Sequence, residues 1–220
     1  MKVHAKDLSG LQRTWRDLVC PPASRSAADG VFKQLAAAYS EDNRHYHTLR
    51  HIEVLLDLAS SEAARFNDRR AVDLAIFFHN AIYDVTRKSN ESASAALAQV
   101  TLRAFGFDQA FAARVAHLIE ATAHFEATQL PTIADDPDLA RFIDLDLSIL
   151  AQPTPTYDAY VKAVRREYAF LSDERYRIGR AQVLESFLER KRLYRCSDHH
   201  AAWDAAARAN MRRELASLQS

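Results

Sequence analysis

Three short stretches of this chain carry side chains that could hold a cation and do chemistry on it. His51 sits early in a helix-like run, and His79-Asn80 closes the apolar segment Phe77-Phe78-His79-Asn80. Asp144 and Asp146 interrupt a third apolar run, Phe142-Ile143-Asp144-Leu145-Asp146-Leu147. Imidazole nitrogens and carboxylate oxygens are the ordinary ligands of catalytic divalent ions. A polar pair placed directly after two phenylalanines needs partners in the core, and two carboxylates in an apolar helix are costly to bury unless a cation or strong donors meet them. Being two apart on a helix, Asp144 and Asp146 point to different sides, so one of them is expected to face a cation and the other an arginine or backbone amides.

The densest polar cluster is Arg44-His45-Tyr46-His47, with His51 following at i+4 from His47. On one helix those two histidines share a face and suit two ligands, or one ligand and one substrate contact; a helix start or a solvated face is the plainer reading. Asp84 lies four residues after Asn80, one turn on if the helix continues. His117 and His124 are two turns apart, a spacing that is more often structural. His199-His200 reads as a surface pair, and the arginines around Arg165 and Arg180 read as solvated or paired charges.

The elements that must position these groups read as helices throughout. The chain of 220 residues holds only 4 glycines, where an average protein of this length would hold roughly 15. That argues against sheet turns and phosphate loops. Leu11, Trp15 and Leu18 mark one helical face, and Pro21-Pro22 ends it. Further faces follow in Phe32, Leu35 and Tyr39, in Leu49, Ile52 and Leu55, and in Val72, Ile76 and Phe78. Gly106 suits the close of an alanine-rich fifth helix, and Asp108 the cap of a sixth. Residues 131–137 read as a loop. A seventh helix carries Phe142 and Leu147, an eighth Tyr157 and Tyr160, a ninth Ile178, Leu184 and Phe187, and a tenth runs from about Asp198 to Leu218. The expectation is an all-α chain of about ten helices forming a single domain over residues 1–220.

Lysine plus arginine and aspartate plus glutamate each total 29. With no net charge there is no global pull toward nucleic acid or an anionic membrane. Cys20 and Cys196 lack metal-type spacing and suit a reduced, cytoplasmic protein. The N-terminal residues open no apolar run of the signal-peptide kind, and no stretch approaches the ~20 apolar residues of a membrane span.

Taken in order, Arg44-x-Tyr46-His47-x-x-x-His51, Phe78-His79-Asn80-Ala81-x-Tyr83-Asp84, Asn90-Glu91-x-x-Ser94, Thr122-x-His124, Asp144-x-Asp146, Tyr157-x-x-Tyr160, Arg165-x-Glu167-Tyr168, Gly179-Arg180 and Arg208-x-Asn210 resemble the HD superfamily of metal-dependent phosphohydrolases, and more narrowly a bacterial subfamily of it. The resemblance covers nearly the whole chain. It implies an HD-like helical bundle whose core holds a divalent ion, with manganese, nickel, cobalt, iron, magnesium and zinc not distinguished. The implied ligands are His51, His79, residue 80 and one downstream aspartate, either Asp146 or Asp144, with Asp146 preferred. It also implies Asp84 or Glu91 as the group that orients water or protonates a leaving group, and Arg44, His47 and His124 as contacts to phosphate oxygens. The implied substrate is a small phosphorylated metabolite or nucleotide, with no nucleic acid or membrane partner, and a homodimer remains open.

The chain departs from the family at Asn80, where the pattern calls for the aspartate of the His-Asp pair. An amide oxygen has similar reach but no charge, and hard divalent ions favour anionic oxygens. Three outcomes stay open: a working enzyme with an altered ligand, a weakened metal site, or a site kept for ligand binding or regulation.

Overall fold

In the structure, a computed structural model, the described residues are 5–124 and 135–219, with side chains described over 8–123 and 135–219. Among them the chain is all-α, as its composition predicts: ten α-helices, joined by short turns, and no strand. Chain contacts divide it into two compact units, Met1–His124 and Phe125–Ser220. No helix among the described residues is long and apolar enough to cross a membrane, and Cys20 and Cys196 are unbonded.

The first unit holds α1 (Ala5–Val19), α2 (Arg25–Ala38), α3 (Leu49–Ser61), α4 (Arg69–Phe78), α5 (Asn90–Phe105) and α6 (Gln109–Glu120). Its core helix is α4, in which every residue from Ala71 to Phe78 is buried. It packs against α1, α3, α5 and α6. Its one buried charge, Asp73, is met by Arg69 of the same helix at 2.6 Å, and a helix otherwise apolar on every side belongs inside a unit rather than on its surface. Trp15 of α1 is fully buried and meets Phe77, Phe78 and Phe105 edge-on or tilted, with ring centroids 5.3, 5.7 and 6.2 Å away. Its indole nitrogen donates to the Ala28 carbonyl at 2.8 Å, which satisfies the one polar atom of a large buried ring.

The ends of these helices follow from local chemistry. Asp68 starts α4 by accepting from the Ala71 amide, and Asp108 starts α6 by accepting from Phe111 at 2.8 Å, each satisfying one of the orphan amides of a first turn. Gly106 closes α5 with φ at +96°, the left-handed cap that the sequence suggests there. The turn lets α5 and α6 fold back on each other, the most extensive helix pairing in the chain.

The second unit holds α7 (Pro137–Asp146), α8 (Thr154–Glu167), α9 (Asp173–Leu188) and α10 (Ser197–Gln219), with a 3₁₀ turn over Leu147–Ala151 after α7. Most of the loop expected over 131–137 lies outside the described residues, and Pro137 is already the first residue of α7, where its missing amide costs nothing. A polar cluster joins α8, α9 and α10: Arg180 donates to both oxygens of buried Glu214 at 2.8 and 3.1 Å, and the Tyr157 hydroxyl donates to the same carboxylate. Of the arginines read as solvated or paired, Arg180 is thus paired, and its partner is buried. Leu184 and Phe187 are buried in α9 as expected, but Ile178, expected with them, is 56% exposed, and Tyr176 is buried instead.

Replacing Gly106 with alanine leaves ordinary contact distances, the nearest being 3.5 Å to the Pro22 Cβ. The cost is therefore backbone strain at positive φ, about 1–2 kcal/mol. Urea denaturation is expected to show a lower midpoint with an unchanged slope.

Candidate metal centre and its supports

His51 and His79 come together in the first unit. His51 lies in the first turn of α3, at Leu49-Arg50-His51, and His79 is the residue that ends α4. Both are buried, at 6% and 1% exposure. Their Nε2 atoms stand 3.2 Å apart. Two imidazole nitrogens bound to one ion at about 2.0–2.1 Å would be about 2.9 Å apart at a right angle and about 3.3 Å at the tetrahedral angle. The observed separation falls between those limits.

The tautomer of His79 is fixed by its other nitrogen. Nδ1 lies 2.9 Å from the Ile76 carbonyl. A carbonyl can only accept, so Nδ1 carries the proton and Nε2 presents its lone pair to His51. This is the arrangement by which metal-binding histidines are usually oriented. The Tyr39 hydroxyl meets the next carbonyl along, donating to Phe77 at 3.0 Å. The end of α4 is therefore held rigid where its carbonyls have no helical partners.

His47 lies before α3, in the turn that precedes Thr48, so it does not share a helix with His51 as the i, i+4 spacing suggests. The turn nonetheless folds its ring toward the same place: the His47 centroid is 5.9 Å from that of His51 and 4.4 Å from that of Tyr83. Tyr46 adds a third ring 5.0 Å from His51. His47, Tyr46 and Tyr83 are half-buried.

Arg44 is different. Its side chain is 1% exposed, and its guanidinium donates to the carbonyls of Asn80 at 2.5 Å and Ala81 at 3.1 Å and to Glu41 at 3.1 Å. Where the resemblance implies a phosphate contact, the structure shows a clamp on the backbone. Asn80 itself is half-buried and follows His79 directly.

Helix α4 stops at Phe78, so Asp84 is not one helical turn beyond Asn80. It sits in a loop stapled to α5: the Asp84 amide donates to the Asn90 side chain at 3.0 Å, and the Asn90 amide donates back to the Asp84 carbonyl at 2.8 Å. The Asp84 carboxylate accepts from the hydroxyl and the amide of Thr86, at 2.6 and 2.9 Å. Those bonds, with Arg87 nearby, hold its carboxyl below the usual carboxylate range despite some burial. Asp84 is thus suited to accept a proton or orient water and unsuited to donate a proton near neutral pH. Glu91 lies half-buried in the first turn of α5. The side chain of His124 lies outside the described residues. His117, its partner two turns earlier, is exposed.

In the second unit the two aspartates of α7 separate as their spacing requires. Asp144 is fully buried and accepts from the amides of Arg195 at 2.7 Å and Cys196 at 2.8 Å and from His199 Nδ1 at 3.2 Å. It is the aspartate that meets backbone amides. Asp146, at the last residue of α7, is half-buried. Asp144 thereby pins the end of the helix that presents Asp146.

His199 corrects the surface reading of the His199-His200 pair. It is 3% exposed, stacked on Trp203 with centroids 4.1 Å apart, and bonded through both ring nitrogens, to Asp144 and to Arg141 at 3.1 Å. Only a partner 55 residues away explains that burial, and no local pattern announces it. Asp144, Cys196 and His199 offer ligand atoms within 4.8 Å of one another. The Arg141 guanidinium already meets His199 Nε2 and two amides already meet Asp144, and a cation there would meet a fixed positive charge.

Comparison with protein-family models, with curated proteins and with solved structures finds no match to this chain.

Two outcomes test these supports. Asp144→Ala strands two part-buried amides and one buried imidazole, and should cost about 3–5 kcal/mol in chemical denaturation. Thr86→Val removes the hydroxyl bond to Asp84, so the Asp84 carboxyl resonance, which should titrate below 3.8 in the native protein, should titrate higher in the variant.

Proposed function

We propose that this protein is a metal-dependent phosphohydrolase acting on a small phosphorylated metabolite or nucleotide. The observation that carries the reading is the buried pair of imidazoles facing each other through Nε2 at 3.2 Å, with His79 fixed in the lone-pair tautomer. The donor set fits a divalent ion: two neutral imidazoles, the amide oxygen of Asn80, and the carboxylate that the family resemblance assigns to Asp146. Such an ion, when bound, lowers the pKa of water and polarises a phosphoryl oxygen.

The chain's own residues then divide the remaining work. His51 and His79 bind through Nε2. Asp84, ionised over the whole neutral range, accepts a proton or orients the attacking water. His47 donates to a phosphate oxygen from its place beside His51. Arg44 contributes nothing to phosphate in this reading, because its donors face backbone carbonyls. Free cysteines in both units accord with a cytoplasmic setting.

A second reading rests on Asn80. With one carboxylate in place of two, the ligand set carries −1 rather than −2, and affinity for hard ions falls. A protein that keeps the pocket for binding or regulation would be stabilised by a ligand without turning it over.

One set of measurements separates the two. Native protein should take up one equivalent of manganese, nickel or cobalt. His51→Ala and His79→Ala should each weaken uptake by more than about a hundredfold, beyond the 10–100-fold cost of disturbing an outer partner. A screen of phosphate mono- and diesters with each metal should reveal turnover that His79→Ala abolishes. Metal uptake and ligand stabilisation without turnover would favour the second reading, and absence of metal and turnover alike would reject the first.

A further inference from the structure

The geometry points to Arg44 as a positioning residue, one that sets the aim of His79 and Asn80 through the backbone rather than by touching substrate. This rests on the reading of His51 and His79 as a metal centre. The observation behind it is where the guanidinium goes. Helix α4 ends at Phe78, and an uninterrupted helix would turn the carbonyls of Asn80 and Ala81 toward amides four residues on. Here the two ends of one guanidinium capture both carbonyls, at 2.5 and 3.1 Å. A planar fork reaching two acceptors fixes their orientation, which a point charge on a flexible stem cannot do.

The fork is itself immobilised. Its carbon lies 5.1 Å from the centroid of Tyr39 and 5.3 Å from that of Tyr83, and its Nε donates to Glu41. Tyr39 also caps the Phe77 carbonyl, so the pair Tyr39 and Arg44 holds three carbonyls on both sides of His79. The far side of the turn is held by α5, where the Ile82 amide donates to Ser94 at 3.0 Å and Asp84 is bonded to Asn90. A positive charge at the C-terminal end of α4 also suits the helix dipole. His79 Nε2 and the Asn80 side chain thus hang from a backbone whose course Arg44 dictates.

The test uses the full chain and the variants Arg44→Met, which keeps the stem, and Arg44→Lys, which keeps the charge and one bond. In native protein without added metal, the guanidinium protons of Arg44 should give separate, slowly exchanging resonances, and His79 should show the Nδ1-protonated tautomer by ¹⁵N shifts. In the variants that tautomer preference should blur, and Mn²⁺ affinity by calorimetry should fall about 10–100-fold, more in Arg44→Met than in Arg44→Lys. Averaged, freely rotating guanidinium signals in the native protein would overturn the inference whether or not the variants fold. So would folded variants with native His79 shifts and native Mn²⁺ affinity but weakened binding of inorganic phosphate, the pattern of a direct phosphate contact. Native protein that binds no Mn²⁺ yet shows the His79 change would reject the metal reading while upholding the role of Arg44.

Discussion

Burying two imidazoles with their Nε2 atoms turned toward each other is the constraint on which the first unit is organised. Each ring nitrogen taken from water must find a partner, and an unsatisfied one costs on the order of 1–3 kcal/mol. The Ile76 carbonyl takes the Nδ1 proton of His79, which leaves a lone pair aimed at His51. That lone pair can be met by a proton from His51 or by a cation shared with it. The geometry of the pair is fixed by a buried α4 that cannot rotate without exposing its residues and by a helix end tied off by Tyr39 and Arg44. A structural histidine needs only a satisfied ring. A pair with one nitrogen spent on orientation and the other turned toward its neighbour is also positioned to hold a metal ion.

The second unit solves a parallel problem with fixed groups. Asp144, fully buried, finds two amides and an imidazole, and His199 passes the chain of bonds on to Arg141. Arg141 in turn pairs with Asp198 at 3.2 Å. That bond prevails over partial burial and holds the Asp198 carboxyl below its usual range. The network ties α7 to the start of α10 through fixed groups, which makes it a brace. The difference between the two clusters lies in what surrounds them. One ends in an arginine, and the other in half-buried rings of Tyr46, His47 and Tyr83.

Much of this was legible in the sequence because it is local. The caps at Asp108 and Gly106, the ten helices and the helical places of His51 and His79 follow from spacing and residue type. The split of roles between Asp144 and Asp146 follows from two residues on one helix pointing apart. Other features depend on partners far along the chain. His199 is buried because of Asp144 and Arg141, and Arg44 is turned inward because α4 stops at Phe78 and leaves two carbonyls bare. A motif names a residue type at a position and says nothing of which way its side chain faces. The division into two compact units likewise depends on which helices touch, and no proline- or glycine-rich linker marks it.

The central claim is that His51 and His79 share one divalent ion through Nε2. X-ray absorption at the cobalt edge of the loaded protein tests it most directly. The account predicts a light-atom shell at about 2.0–2.1 Å with the outer-shell scattering of two imidazoles, reduced to one in His51→Ala and in His79→Ala. A spectrum with no imidazole scattering, or one unchanged by both substitutions, would contradict it.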